Sequence, residues 1–351
     1  MDGKQKALLC SGVKGTYAVE LIDIPQPGPG EVLVELRAVG LNPMDWMMHD
    51  FGMFVPSWPA IFGYDGAGVV AKVGEGVTKF GVGDKVMHAG TFEAPRVSTF
   101  RQYVAMKADF VAAVPHNLSL DEAATLPLVL ATAALGMYDA PRAPHGGIGL
   151  TPVWEAGGRG ACAGAPIFIN AGSTAVGQLM IQFAKLSGFA PIITTASPHN
   201  TALLLSLGAT HVLDRHSPFS ALASSVRGIT DKPIMHALDA ISTPESQNGT
   251  YDLVAPGGRV LIDTRCAIAP EKRATGGKEV AQVFGDVQRA GESACGRALY
   301  AHLTGLFEGG DLKPGRVEVV PGGLAGVPDA LERLKNGVSA LKLVVRPQET
   351  P

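Results

Sequence analysis

Along the first third of the chain, apolar and polar residues alternate in short runs, at residues 6–10, 31–39, 68–73 and 85–87, with glycine-bearing turns between them. A period of two marks a strand with one buried face, and a series of such runs predicts a partly open β-barrel. From about Leu126 the pattern changes. Apolar runs at 167–170, 191–195 and 211–213 alternate with stretches of helical period at 176–187 and 200–207. Strand and helix in alternation predict a doubly wound parallel sheet of Rossmann type. Strand character returns at 316–320 and 342–346 around a short helix at 329–335, which sends the end of the chain back to the barrel. The expected organisation is α/β, with a barrel domain over 1–125, a nucleotide-binding domain over 126–312 and a returning segment over 313–351.

Two stretches need separate readings. Residues 123–138 form the longest apolar run, interrupted by Thr125, Pro127 and Thr132. It falls short of the roughly 20 residues that a bilayer requires and reads as a buried helix. Residues 141–165 are rich in Gly and Pro, contain Trp154 and show no periodicity. A loop of that length is either a flexible surface excursion or a wall over the substrate cleft, and the sequence leaves both open.

The 351 residues are 46% hydrophobic and 17% charged, enough to build two cores. Lys and Arg number 29 against 32 Asp and Glu, a net charge of -3. No basic field exists to hold nucleic acid or an anionic membrane, so the expected partner is a small molecule. Cys10, Cys162, Cys266 and Cys295 show no paired spacing, which predicts neither a disulfide framework nor a clustered metal site and fits a reducing, cytoplasmic setting. Residues 1–6 lack the apolar core of an export signal.

The chemistry concentrates at one turn. A buried strand over 167–170 runs into Gly172, Ser173, Thr174, Ala175, Val176 and Gly177, and then into a helix. Strand, tight turn and helix bring several backbone N–H groups and the positive end of the helix dipole to one point, where a pyrophosphate binds. Thr174 replaces the usual middle glycine, and an ordinary strand-to-helix turn is the bland alternative. In NAD-preferring sites an acidic residue follows the glycines by roughly 20 positions and takes the ribose hydroxyl. Here 178–213 contains no Asp or Glu, and the second strand runs into Ser197, His199 and Asn200. These side chains offer donors to an adenosine 2′-phosphate, so the predicted cofactor is NADPH. Arg215 either stacks on adenine or reaches that phosphate, or is a solvated loop charge.

At this point the chain resembles the medium-chain dehydrogenase/reductases over nearly its whole length. The barrel half carries Pro29-Gly30-Glu31-Val32, Asn42-Pro43-Met44-Asp45, Gly63-Tyr64-Asp65-Gly66 and Gly83-Asp84-Lys85-Val86 in one order. Gly172-Ser173-Thr174-Ala175-Val176-Gly177, Ser197-Pro198-His199-Asn200 and the ending Lys342-Leu343-Val344-Val345-Arg346 are similar to fungal trans-acting enoyl reductases, and quinone-reductase-like oxidoreductases share much of this pattern. The resemblance implies a GroES-like barrel beside the Rossmann domain. Zinc members carry a cysteine where Asn42 stands and a His-Glu pair where Tyr64-Asp65 stands, so no metal is expected. By the same resemblance Asn42, Asp45 and Thr132 are the catalytic candidates. Met47 lies near the nicotinamide end, Ser173 to Val176 hold the pyrophosphate, Asp263 and Thr264 lie beside the nicotinamide ribose, and Ala340 and Leu341 close the site. Some trans-acting relatives have a lysine where Met47 stands, which makes a more apolar, free substrate plausible.

The implied reaction is reduction of an activated C=C bond in an unsaturated carbonyl compound, in secondary metabolism. Thr132 is the preferred hydrogen-bonding or nicotinamide-orienting group, against a helical Thr bonded to its own backbone. Tyr64 either relays a proton or fills space. Quinone reduction, and a cofactor-binding partner of a polyketide synthase active only on carrier-bound chains, are the competing readings. The charged, glycine-bearing stretch at 271–278 is a poor pairing edge, which favours a monomer over a homodimer.

Overall fold

The computed structural model describes residues 3–91, 95–288 and 294–351; Met1 and Asp2, within the stretch read above for an export signal, lie outside them. The elements in chain order are β1 (Lys4–Cys10), β2 (Tyr17–Asp23), β3 (Glu31–Gly40), α1 (Pro43–Phe51), β4 (Ala60–Ile61), β5 (Asp65–Val73), β6 (Lys85–Ala89), β7 (Tyr103–Lys107), β8 (Val111–Ala113), α2 (Leu120–Ala123) and α3 (Pro127–Tyr138). Then come β9 (Ile167–Asn170), α4 (Ala175–Leu186), β10 (Ile192–Ala196), α5 (Thr201–Leu207), β11 (His211–Asp214), α6 (Phe219–Ile229), β12 (His236–Asp239), α7 (Pro244–Leu253), β13 (Arg259–Ile262), α8 (Pro270–Gly276) and β14 (Glu279–Gln282). The chain finishes with α9 (Ala294–Glu308), β15 (Arg316–Val319), α10 (Val327–Lys335) and β16 (Leu341–Val345).

The chain forms two compact units. The first comprises Met1–Leu128, Asp286–Gly310 and Pro314–Pro351. Its larger sheet runs β15-β16-β3-β5-β6-β8 with β7 also on β3, and its smaller sheet runs β2-β1-β4. β3 is the hub, antiparallel to β5, β7 and β16. Val32, Leu33, Val34, Leu36, Ala38 and Val39 are all fully buried, so both faces of β3 are covered.

Helix α9 belongs to this first unit, although the sequence reading placed it in the nucleotide-binding domain. Thr304 Oγ1 donates to Ala113 O at 2.7 Å, Asn117 Nδ2 donates to Phe307 O at 2.9 Å, and the Tyr300 hydroxyl accepts from Ala89 N at 3.2 Å. The sequence displays an apolar face on α9, with Leu299, Tyr300, Leu303 and Phe307 buried. A periodic pattern says that such a face is buried and not which core receives it.

The second unit, Val129–Gly285 with Asp311–Lys313, carries a parallel sheet of order β11-β10-β9-β12-β13-β14. With β9 as strand one this is the 3-2-1-4-5-6 order of dinucleotide-binding folds, whose direction of winding reverses between β9 and β12. Phe168, Ile193, Val260 and Ile262 pack with Val226 and Tyr251 of α6 and α7 on one face. On the other, Gly136 of α3 lies so close against Leu261 of β13 that a Cβ there would overlap the leucine side chain. The Tyr138 hydroxyl at the end of α3 is 3.1 Å from Ser187 Oγ at the end of α4. Both helices therefore run antiparallel to the strands, and the start of α3 lies toward the carboxyl ends of the sheet.

The loop over 141–165 is not a free excursion: its first part reaches the carboxyl end of β14, where Gly146 N donates to Gln282 O at 3.0 Å, and its later part packs against α4. Gly160 N donates to Leu186 O at 3.0 Å and Cys162 N to Ser187 O at 2.8 Å, while Trp154 meets Tyr138 edge-on at 5.2 Å. It satisfies the terminal carbonyls of α4 at the amino-end side of the sheet, opposite the phosphate turn. Composition marked a long loop but carried no signal of which end it caps.

Replacing Gly136 with leucine is expected to cost about 1–3 kcal/mol by overpacking α3 against Leu261. Urea unfolding monitored by far-UV circular dichroism checks it, and an unchanged midpoint would show that α3 is not seated as described.

Candidate active site

The turn after β9 is built by hydrogen bonds that leave a defined set of amides over. Thr195 Oγ1 accepts from Ala171 N at 2.8 Å and donates to Asn170 Oδ1 at 2.6 Å; its carbonyl accepts from Gly172 N at 3.0 Å. Thr174 caps α4, its hydroxyl accepting from Gly177 N at 3.0 Å and donating to Ala171 O at 2.9 Å. Gly172 and Gly177 are required by space, because a Cβ on either would run into Thr194 or into the Ala171 carbonyl. The amides of Ser173, Ala175 and Val176 are left with no recorded acceptor among the described residues. Three N–H groups at the positive end of a twelve-residue helix form an anion cradle, and a pyrophosphate fits it.

Beside this cradle, at the end of β10, Arg215 Nε donates to Ser197 Oγ at 2.7 Å and Arg215 N to Ala196 O at 3.0 Å. Ser197 is half-buried, His199 and Arg215 are exposed, and no carboxylate ends β10. Asn200 was expected in the same donor group, but it is buried at the start of α5.

Two aspartates end β12 and β13. Asp239 is saturated: Asn170 Nδ2, Ser242 N and the Ser246 hydroxyl donate to it at 2.9, 3.1 and 2.6 Å. Asp263 is not. Its backbone N donates to Ser242 Oγ at 3.0 Å, but Oδ1 is buried with no hydrogen-bond partner among the described residues. Burial pushes its carboxyl up to about 6, the Ser242 hydroxyl pulls against that and Asp239 adds to it. Thr264 donates to Ser242 O at 2.8 Å and accepts from Gln247 Nε2 at 3.1 Å. Its hydroxyl is thus committed within the unit.

Thr132 and Asp263 come level on the same face. Thr132 is one helical turn before Gly136, about 6 Å along α3. Asp263 is two residues beyond Leu261, about 6.6 Å along β13. From the Gly136–Leu261 contact both advance toward the carboxyl ends. Thr132 is only 9% exposed.

In the first unit, Asn42, Asp45 and Asp65 meet around Lys342. The Lys342 ammonium donates to Leu41 O at 3.0 Å and Asn42 Oδ1 at 2.7 Å and lies 3.2 Å from Asp65 Oδ2. Asn42 Nδ2 donates to the same Asp65 oxygen at 2.9 Å, and the other accepts from Leu128 N at 2.7 Å. Asp45 accepts from Asn42 N at 2.8 Å. Burial lifts the Asp45 carboxyl to about 7, against the pull of that N–H, and Asp65 raises it further. Tyr64 directs its hydroxyl to Met48 Sδ at 3.7 Å, and burial pushes its phenol upward with Asp45 and Asp286 adding to the shift. Met47 is half-buried on α1, and Leu341 half-buried at the start of β16. Ala340 is buried with a φ of 49°, a left-handed conformation uncommon for alanine. The sequence reading missed Lys342 as a charge and Asp239 altogether; a lysine inside a strand gives no signal of burial.

Comparison with known proteins fits this arrangement. Residues 28–116 match the family model of the alcohol dehydrogenase GroES-like domain, and residues 175–264 that of the zinc-binding dehydrogenase domain. The trans-enoyl reductase grgB of Penicillium is 30% identical, over 98% of this chain and 99% of that protein. The enoyl reductase component lovC of the lovastatin nonaketide synthase of Aspergillus terreus is 31% identical, over 90% and 89%. Among solved structures, the JamJ enoyl reductase superposes with a TM-score of 0.76 at 23% identity, over 99% of both chains, and shares the fold.

A zinc ion does not fit the residues at the corresponding positions. Asn42 and Asp65 already surround a lysine ammonium, so a second cation there would meet like charge, and the Tyr64 hydroxyl faces a thioether. Among the described residues no group of three or more His, Cys, Asp or Glu gathers to hold a metal.

Lys342→Met strands the buried Asp65 carboxylate and is expected to cost on the order of 3–5 kcal/mol, part of it recovered by adding Asp65→Asn. Urea unfolding of the single and double variants checks this. For Asp45, whose carboxyl is raised from 3.8 to about 7, the contribution to stability is complete below about pH 4 and is lost as pH rises through about 7. Asp45→Asn has no such loss, so thermal melts should shift in favour of the variant between pH 5 and pH 8; a pH-independent difference would refute the assignment.

Proposed function

The chain belongs to the medium-chain dehydrogenase/reductase superfamily, among its enoyl reductases, and on that premise we propose that it is an NADPH-dependent, zinc-independent reductase of activated C=C bonds in secondary metabolism. The observation that carries the reading is the end of β10, where Arg215 and Ser197 are joined at 2.7 Å and no carboxylate stands to receive a ribose hydroxyl. Ser173, Ala175 and Val176 hold the pyrophosphate on their unpartnered amides. Gly172 and Thr174 shape the turn. Ser197, His199 and Arg215 take the 2′-phosphate by charge-assisted hydrogen bonds. Asn200, being buried, supports the turn rather than the ligand.

Bound NADPH supplies the hydride that adds to the β-carbon of the unsaturated carbonyl compound. Thr132 orients the nicotinamide end, and Asp263 and Thr264 line the ribose next to it. Asp45 is the proton-bearing group, its carboxyl raised to about 7 by burial, and Asn42, whose amide is taken by Lys342 and Asp65, positions it through its backbone N–H. Met47, Ala340 and Leu341 give the site apolar walls suited to a hydrocarbon chain. The lovC relative carries a name that ties it to a synthase, and a polyketide synthase is the proposed source of the substrate here. The protein acts as a monomer in the cytoplasm. The domain limits relevant to this activity are 1–125, 126–312 and 313–351, with α9 transferred to the first domain.

The decisive assay is NADPH and NADH oxidation in chelator against enals, enones and quinones, with carrier-bound enoyl chains as a further arm. Turnover of enones or carrier-bound chains with NADPH is expected; activity on quinones alone, or only after added zinc, would overturn the reading. Arg215→Ala is expected to weaken NADPH by about tenfold through loss of a hydrogen bond to a charged group, with NADH within about twofold, measured as KM for each nucleotide.

A further inference from the structure

The buried Oδ1 of Asp263 has no hydrogen-bond partner among the described residues. Its neighbour Asp239 has three donors, while Asp263 Oδ1 has none among the described residues and its level on the sheet is that of Thr132. A buried acceptor without a donor is costly, and such groups cluster where a ligand completes them.

The sheet order says which part of a dinucleotide reaches it. Ligands of this fold lie across the carboxyl ends of the strands at the reversal point, here between β9 and β12. The pyrophosphate belongs at the start of α4, and the Arg215–Ser197 pair on the β10 and β11 side receives the adenosine half. The other half extends over β12 and β13, where Asp263 ends its strand.

We propose that Asp263 is an electrostatic selector for the oxidation state of the bound nicotinamide, its free carboxylate oxygen facing the ring and favouring the cationic NADP+ over the neutral NADPH. This rests on the cofactor assignment above. The tighter hold on NADP+ slows release of the oxidised cofactor but favours the positive charge that develops on the ring as hydride leaves. Among the groups around Asp263, only Asp239 is a second carboxylate close enough to raise it. Asp239 on β12 is bonded on both carboxylate oxygens, Thr132 on α3 and Gln247 on α7 are uncharged, the α4 turn from Ser173 to Gln178 carries no ionisable side chain, and Arg265 on the following loop is exposed.

Ionisation near pH 6 makes the selector titratable within an accessible range. Affinity for NADP+ should rise relative to NADPH as pH rises from 5 to 8, because the carboxylate form binds the cation better. Both nucleotides carry the same 2′-phosphate, so its own titration cancels in the ratio of dissociation constants.

The test is that ratio, measured by calorimetry on the full chain at pH 5 and pH 8 for wild type and Asp263→Asn. Wild type is expected to change its NADPH-to-NADP+ ratio of dissociation constants by about tenfold, the effect of one pKa unit of linkage, while Asp263→Asn gives a flat ratio with NADP+ selectively weakened. A flat ratio in wild type overturns the selector while leaving the cofactor assignment standing, and needs no variant to fold. Binding of neither nucleotide overturns both. Equal weakening of the two nucleotides in a folded Asp263→Asn would reduce Asp263 to an ordinary contact and reject the proposal.

Discussion

An ammonium group buried away from water has to find its compensation within the protein, and in the first unit Lys342 finds it in three oxygens from three parts of the chain. Leu41 and Asn42 lie between β3 and α1, and Asp65 begins β5. The second oxygen of Asp65 accepts from Leu128 at the start of α3. One charge pair therefore ties the last strand of the chain to the hub strand, to α1 and to Leu128. Buried ion pairs contribute little net stability when compared with apolar replacements, but removing one partner is severe. Such a cluster specifies an arrangement more than it strengthens it. Asn42, Asp45 and Tyr64 are held relative to one another because that charge cannot be rehydrated.

The alternation of periods along the sequence was sufficient to read both kinds of domain, because burial on one face and burial on two faces leave different patterns. The phosphate turn was legible for a similar reason: few residue types tolerate the space around Gly172 and Gly177. Thr174 in place of a glycine weakened that signal, yet its hydroxyl both caps α4 and binds the Ala171 carbonyl, so the substitution preserves the turn by a different hydrogen bond. Illegible features share one physical cause. The partner of α9, the end of α4 that receives residues 141–165, and the burial of Lys342 and Asn200 all depend on contacts between segments distant in sequence. An amphipathic helix or a lysine in a strand carries no record of what it meets.

Local hydrogen bonding separates side chains of the same type. Asp239 and Asp263 end adjacent parallel strands, and both lie where water is largely excluded. Asp239 receives two side-chain donors and backbone N–H groups. Asp263 keeps a bare oxygen, and burial holds its carboxyl near 6. In the first unit Asp45, with a single N–H and a neighbouring carboxylate, is lifted higher still. Desolvation is the largest cause for Asp45 and Asp263 alike, and a neighbouring carboxylate adds to it in each case.

That difference bears on which buried groups of each unit can change protonation. The ammonium of Lys342 is already paired with Asp65. What remains adjustable is protonation, and the raised carboxyls of Asp45 and Asp263 lie close enough to neutral pH to change state without a large expense of free energy. Each unit thus contributes one buried acid whose ionisation is governed by desolvation. In each unit the state of that carboxyl is linked to how far water is kept from it, since the same low dielectric that penalises an unpaired charge strengthens every hydrogen bond it makes.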